Sequence, residues 1–331
     1  MLVVAAPDKF RGTARAGDVA SAVAEAARSL GARSIEVPLS DGGEGFLDAF
    51  GGPNRTTTVT GPLGDPVEAG WRMAGRTAVI EMALASGLAL VGGAEGNDPI
   101  AASTTGTGEL VRAAIEAGAR RILVGHGGSA TTDGGLDALR ALSPAARLTG
   151  IDLVAAVDVR TPFLDAAEVF APQKGATPSQ VTFLGRRLER LAQVYLDEHG
   201  VDVTAIPGAG AAGGLAGGLA VVGAQIESGF DLIAEEVDLA AAIEDADLVV
   251  TGEGFLDEAS FDGKVVGGVV ELAEELDVPV LVVAGAVYDD VGDRVEAISL
   301  VERFGEQRAL SDTTACITEA VQDWIAANLP G

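Results

Sequence analysis

Short runs of aliphatic and β-branched residues that end in glycine or an acid recur along this chain, and most lead into an amphipathic stretch. The runs are Leu2–Ala6, Ile35–Leu39, Ile122–Val124, Val154–Val157, Leu248–Thr251 and Val280–Ala284. The stretches include Asp18–Leu30, Gly108–Ala117, Gly134–Leu142 and Val265–Leu276. A strand buried on both faces reads as a continuous apolar run, and its parallel partner is reached only through a crossover, usually a helix. The alternation therefore predicts an α/β protein with parallel sheet. Arg55–Met82 breaks the pattern: Thr56–Thr60 and Thr77–Met82, with Gly-Pro-Leu-Gly between them, read as antiparallel strands and turns. The first two runs and the last three have the character of halves of one sheet. That predicts a discontinuous domain over 1–44 plus 225–331, with a mixed α/β domain over 45–224 inserted into it.

At 331 residues the chain is long enough for about two domains and a substantial core. Hydrophobic residues make up 48% and aromatic ones only 4%, which implies packing by Ala, Val and Leu. A formal charge of −27 excludes nucleic acid and anionic membrane as partners, since both ask for a basic surface. Any anionic ligand must then be held by local donors against the field of the whole molecule. Cys316 is the single cysteine, so an intramolecular disulfide, a multi-cysteine zinc site and a redox pair are all excluded; its neighbours place it in a core helix near the C-terminus. The first residues read as a strand and not as a signal peptide, and no apolar run reaches the length of a membrane span. A cytoplasmic protein is expected.

Positive charge comes from nineteen arginines and only three lysines, and each lysine lies in a glycine-bearing polar motif. Lys9 stands in Ala-Pro-Asp8-Lys9-Phe-Arg11-Gly12, Lys174 in Ala-Pro-Gln-Lys174-Gly175, and Lys264 in Phe-Asp262-Gly263-Lys264. An ammonium is a compact charge with rotatable donors, suited to a phosphate that moves along a reaction path.

The densest motif is Gly125-His126-Gly127-Gly128-Ser129-Ala130-Thr131-Thr132-Asp133-Gly134-Gly135, directly after the run Ile122–Val124. A structural turn needs one or two glycines, and five in eleven residues point to a phosphate cradle, with Asp133 as a metal- or proton-handling residue. His126 is either a polar ligand contact or, as lone histidines usually are, a packed residue. Ser40-Asp41-Gly42-Gly43-Glu44-Gly45 offers backbone amides with acids that can hold Mg²⁺ or a substrate hydroxyl, or else an ordinary strand-to-helix turn. Ser103–Glu109 reads as a helix N-cap and also as an anion site. Asp158 leaves a strand at its C-terminal end, where open α/β sheets place ligands. Gly252, Glu253 and Gly254 follow another strand, with Lys264 beyond; the spacing is not a Walker A, because Glu258 stands where its first glycine is required. Thr177-Pro178-Ser179-Gln180 has the marks of a capped helix start, with the helix running to about His199.

Taken in order, these motifs resemble bacterial glycerate kinases of the type-1 family. The resemblance is carried by Ala-Pro-Asp8-Lys9-Phe10-Arg11-Gly12, Asp41-Gly-Gly-Glu-Gly45, Glu81-Met-Ala-Leu-Ala-Ser-Gly87, Thr104-Thr-Gly-Thr-Gly-Glu109, Gly127-Gly-Ser-Ala-Thr131 with Asp133-Gly-Gly135, Pro172-Gln-Lys-Gly-Ala176, Pro207-Gly-Ala-Gly-Ala-Ala-Gly-Gly214 and Thr251-Gly-Glu-Gly254 with Gly263-Lys264. It implies phosphoryl transfer from ATP to D-glycerate, giving 2-phosphoglycerate or 3-phosphoglycerate, with Mg²⁺. It also implies two α/β domains, one Rossmann/flavodoxin-like, with the active site in the cleft between them. Roles under this resemblance are catalysis by Asp41, Asp133, Asp158 and Lys264, with Asp41 and Asp133 at the metal. Asp8, Lys9, Arg11, Thr132 and Lys174 bind substrate. Gly127, Gly128, Ser129, Gly252, Glu253 and Gly254 bind nucleotide or phosphate. A homodimer is left open. Lys9 stands where the family usually has Ser, Arg11 where it has Lys, Thr132 and Thr161 where it has Asn, and His126 where it has an apolar residue. The stretch from Leu142 to Ile151 is also shorter.

Two other readings compete. Gly208-Ala-Gly210-Ala-Ala-Gly213 matches GxGxxG, with Glu227 nineteen residues after the first glycine, which would make the chain an NAD-dependent oxidoreductase. The departures just named would instead fit a non-catalytic homologue or one of altered specificity.

Overall fold

A computed structural model describes residues 1–10, 12–144, 148–261, 264–288, 291 and 294–329. The strands in chain order are β1 Leu2–Ala5, β2 Arg33–Glu36, β3 Arg55–Thr60, β4 Pro66–Ala74, β5 Thr77–Glu81, β6 Arg121–Gly125, β7 Asp152–Val157, β8 Gln225–Ser228, β9 Leu248–Leu256, β10 Val280–Val287 and β11 Ala297–Ser299. The chain divides into two compact units, 1–41 with 230–331, and 42–229.

The first unit is built on a five-stranded sheet in the order β11-β10-β9-β1-β2, parallel throughout. Leu-Val-Val-Ala of β1 is buried along its whole length, as a strand with neighbours and helices on every side must be. One face is covered by the helices Ala16–Ser29 and Thr313–Asn328, whose Val19, Val23, Ala27, Ile317, Ala320 and Val321 pack with Val3, Ala5, Val250 and Val283. Cys316 is a free thiol inside this layer. The second strand starts two residues earlier than its apolar run, because the ladder pairs Leu2 with Arg33 and Ala5 with Glu36. Strand β9 runs five residues beyond Thr251, so Gly252–Gly254 lie within the ladder beside β10 and not in a turn.

The second unit carries a six-stranded mixed sheet, order β3-β4-β5-β6-β7-β8. Strands β3 to β5 are antiparallel and β5 to β8 parallel. The antiparallel part holds a third strand, β4, whose Val67, Ala69, Trp71 and Met73 alternate onto the core face. Helix Pro178–His199 starts on Thr177 with a reciprocal capping box to Gln180, and it stops at Gly200 in the left-handed region (φ 70°). Helix Leu136–Leu142 begins two residues later than its apolar pattern, since Gly134 and Gly135 have φ of 66° and 75°.

Among the described residues no helix is long and apolar enough to cross a membrane.

Gly208–Gly213 is not a dinucleotide turn. A single 3-10 turn, Val203–Ala205, stands where a strand would have to precede it. Gly213 has φ 69°, and a Cβ there would lie 2.0 Å from the Thr131 carbonyl oxygen. Gly213 also accepts the Gly134 N–H at 3.0 Å. Its glycines serve the close packing of two backbones, and the oxidoreductase reading loses its basis.

Candidate active site

The sequence-predicted residues fall into two clusters, one in each unit. In the first, Asp8 leaves β1 with its N–H on the Gly252 carbonyl at 2.9 Å. Its carboxylate accepts the Lys9 N–H at 2.7 Å, and the Lys9 ammonium stands 3.5 Å from Asp8 Oδ1 and 3.7 Å from Asp41 Oδ1. Burial raises the Asp8 carboxyl to about 7; Lys9 pulls it down, and the charges of Asp41 and Glu253 push it up. Glu253, on β9, is likewise raised, by burial first, with Ser260 and Lys264 opposing and Asp257 and Asp41 reinforcing. Its Oε1 is shielded from solvent without a hydrogen-bond partner among the described residues. Lys264 occupies the N-cap of helix Val265–Glu275. Arg11, Asp262 and Gly263 lie outside the described residues.

The second cluster is the loop after β6. The carbonyls of Gly128, Ala130 and Thr131 all accept: from Leu88 N at 2.8 Å, Asn97 Nδ2 at 3.0 Å and Lys174 Nζ at 2.6 Å. Lys174 Nζ also donates to Ser129 Oγ at 2.8 Å, and Ala130 N–H donates to the Ser86 carbonyl at 3.0 Å. By contrast, the N–H groups of Gly127, Gly128, Ser129, Thr131, Thr132 and Asp133 have no acceptor among the described residues. Ser129, Thr131, Thr132 and Asp133 are buried. Four of these N–H groups, within five consecutive positions, belong to buried residues and are open to an acceptor from outside those residues. Thr132 Oγ1 is a further buried polar atom without a partner among the described residues.

Asp133 is placed differently from the expectation. It is fully buried, and both carboxylate oxygens are engaged: Oδ2 accepts Thr104 N–H at 2.9 Å and Thr104 Oγ1 at 2.7 Å, and Oδ1 accepts Gly135 N–H at 3.1 Å. Thr104 is the N-cap of helix Thr105–Glu116, yet its hydroxyl makes no cap bond; it donates to Asp133 and accepts Ala138 N–H at 3.1 Å. The anion at this helix N-terminus is thus the chain's own carboxylate. Burial raises the Asp133 carboxyl, against the pull of the Thr104 and Gly135 donors.

Lys174, expected at the substrate, is 3% exposed and burial lowers its ammonium to about 7. His126 is also buried; its Nδ1 meets the Val124 carbonyl at 2.8 Å, and burial lowers the ring to about 4, so it is neutral at pH 7. Nδ1–H is then the donor, and Nε2 carries a lone pair with no partner among the described residues. Asp158 directly follows β7 and is partly exposed.

Asn97 was not legible as a site residue, and Thr104 only as part of the Ser103–Glu109 cap or anion site. Asn97 sits in a loop with no local signal, and Thr104 looks like any N-cap until Asp133 is seen beside it.

For a divalent cation the fit is uneven. Both oxygens of Asp133 are already engaged by donors of the chain, whereas Asp41 presents a carboxylate in a polar cluster. Among the described residues, no group of three or more His, Cys, Asp and Glu side chains is arranged to hold a metal ion. Mg²⁺ does not need one, since it commonly binds through one or two carboxylates plus substrate phosphates.

The model of the glycerate kinase family matches residues 3–146 and 143–327 of the chain. Glycerate 2-kinase of Escherichia coli (strain K12) is 38% identical over 88% of this chain and 87% of its own. Glycerate kinase of Bacillus subtilis (strain 168) is also 38% identical, over 88% of this chain and 86% of its own. A crystal structure assigned as glycerate kinase 2 from Salmonella typhimurium LT2 superposes with a TM-score of 0.82 at 33% identity, covering 99% of this chain and 98% of that one. With the family model spanning nearly the whole length and the fold matched end to end, the chain belongs to the glycerate kinase family.

Proposed function

We propose that this protein transfers the γ-phosphoryl group of ATP to a hydroxyl of D-glycerate, in the presence of Mg²⁺. The observation that carries the reading is the set of N–H groups along 127–133, Ala130 excepted, that have no acceptor among the described residues, four of them on buried residues. Phosphoryl transfer asks a protein mainly for position and for donors aimed at oxygens that gain charge. Backbone amides supply such donors without adding side-chain charge. They matter the more in a chain whose net charge of −27 repels anions.

The new bond joins the glycerate hydroxyl oxygen to the γ-phosphorus; the bond from that phosphorus to the bridging oxygen breaks, and ADP leaves. We assign the hydroxyl proton to Asp8, whose carboxyl lies near 7 and so accepts and releases a proton close to neutral pH. Lys9 and Arg11 are assigned to the glycerate carboxylate, Thr132 to a substrate hydroxyl, and Lys264 to a nucleotide phosphate. Asp41 would hold Mg²⁺, which supplies charge neutralisation on the phosphates when bound. Asp158 remains a catalytic candidate beside Asp8. Gly252 and Gly254 are withdrawn as phosphate ligands, since they lie within a strand. Similarity to a relative named glycerate 2-kinase supports transfer to the 2-hydroxyl over the 3-hydroxyl, and an ATP-dependent reaction is consistent with a cytoplasmic enzyme.

The test is ADP release from ATP with D-glycerate, run beside glycerate-free and metal-free controls, with phosphorus NMR of the product. ADP that depends on both glycerate and Mg²⁺, with the 2-phosphate as product, is the expected result. ADP release independent of glycerate would point to another acceptor, and none at all from folded protein would remove the kinase reading.

A further inference from the structure

We propose that Lys174 and Asn97 form a two-point strut that ties down the carbonyl side of residues 129–131 and so leaves the loop's N–H groups for an anion. Lys174 is then a positioning residue, not a ligand of substrate. The proposal rests on the phosphate-cradle reading above.

The carbonyls of Ala130 and Thr131 are each taken by one side-chain nitrogen, Asn97 Nδ2 at 3.0 Å and Lys174 Nζ at 2.6 Å. Asn97 Nδ2 also donates to the Lys174 carbonyl at 2.9 Å, so the two side chains are fastened to each other as well as to the loop. The base of the strut is stiff. Lys174 ends the 3-10 turn Pro172–Lys174, and Gly175 follows in the left-handed region (φ 91°). A Cβ at Gly175 would lie 2.3 Å from the Ala94 carbonyl oxygen, so the segments around 94 and 175 are packed backbone to backbone.

A peptide loop can turn either its N–H or its C=O groups toward a ligand. Carbonyl oxygens repel phosphate, and pinning them removes the unfavourable alternative. The choice of lysine also fits. With Ser129 Oγ and Thr131 O as its two acceptors, a neutral amine keeps enough N–H donors for both, so the strut survives the loss of charge that burial favours. A guanidinium stays charged and needs more room, which accounts for lysine at this place in an arginine-rich chain.

Lys174→Met and Asn97→Ala, each in the full chain, provide the test. The Leu88 and Ala130 amides report on the loop, because each closes one bond of its bridge to Ser86–Leu88. Without ligand, Lys174→Met is expected to speed their hydrogen exchange about tenfold or more, while exchange in helix Pro178–His199 stays put. KM for ATP should rise more than kcat falls, and adding Ser129→Ala to Lys174→Met should cost little more, since both remove one contact. Lost activity with wild-type exchange at Leu88 and Ala130 would make Lys174 a direct ligand and overturn the strut. Unchanged exchange and kinetics would overturn it as well. Should Lys174→Met fail to fold, Asn97→Ala decides by the same two readings. No glycerate-dependent ADP from the wild type would remove the kinase reading, and the exchange measurement would still judge the strut.

Discussion

Asp8 and Lys9, adjacent in the chain, are bound to each other twice: Asp8 Oδ1 accepts the Lys9 N–H at 2.7 Å and stands 3.5 Å from the Lys9 ammonium. The pair sits at the end of a buried parallel strand, where burial works against a carboxylate and the ammonium works for it. Activity that needs ionised Asp8 should therefore rise with pH through about 7. Lys9→Met withdraws the downward pull, so this limb of the kcat profile should move to higher pH. Asp8→Asn should abolish the limb and lower kcat by roughly 10²-fold or more. A wild-type limb retained in Asp8→Asn would assign it to another group.

Asp133→Ala should act on stability before chemistry. It removes the acceptor for Thr104 N–H, Thr104 Oγ1 and Gly135 N–H, all in the interior. Leaving a buried donor without its acceptor costs about 1–3 kcal/mol, so the loss should be readable by urea unfolding. A variant as stable as the wild type, with lost turnover, would return Asp133 to the chemistry.

His126→Asn keeps a donor toward the Val124 carbonyl but does not titrate. The folded protein holds the wild-type ring near 4 against an ordinary 6.5, so the folded state binds fewer protons between those values. Stability from the neutral ring is present above about 6.5 and is lost as pH falls toward 4. Glu81, raised to about 6 by burial, and Asp8, raised to about 7, act in the opposite sense as the pH falls. Thermal melts of both proteins across this range separate the terms: the variant should lose less stability on acidification.

Gly213→Ala should destabilise by about 3 kcal/mol or more, from left-handed strain and overpacking against Thr131. Reduced ATP affinity should accompany it, because the displaced backbone adjoins the 131–134 segment. Nicotinamide fluorescence should show no binding in either protein. Saturable binding in the wild type would reinstate the fingerprint reading.

The parts of this architecture visible in the chain were those with local causes. Val154–Val157 is a strand because its own residues are apolar throughout, and helix Pro178–His199 carries its start and stop signals within its ends. The roles of Asp133 and Lys174 have distant causes. Thr104 is 29 positions from Asp133, and Ser129 is 45 from Lys174, so neither partnership leaves a mark on the neighbouring residues. An acid within a glycine-rich motif looks available for chemistry until a threonine from another element is found holding it. Gly208–Gly213 shows the reverse: its spacing matches a binding fingerprint, and backbone packing accounts for the same glycines.

The place of β1 sets the order in which the chain can finish. Val3 pairs with Leu248 on one side and Ser34 on the other, so this early strand lies inside a sheet whose remaining members are made last. At a synthesis rate of about 5–20 residues per second, it waits roughly 12–50 s on the ribosome for its second neighbour. Residues 42–229 carry a complete sheet of their own and emerge within that interval. The nascent chain therefore holds an apolar, unpaired strand edge longest along β1, and chaperone contact during synthesis should concentrate there.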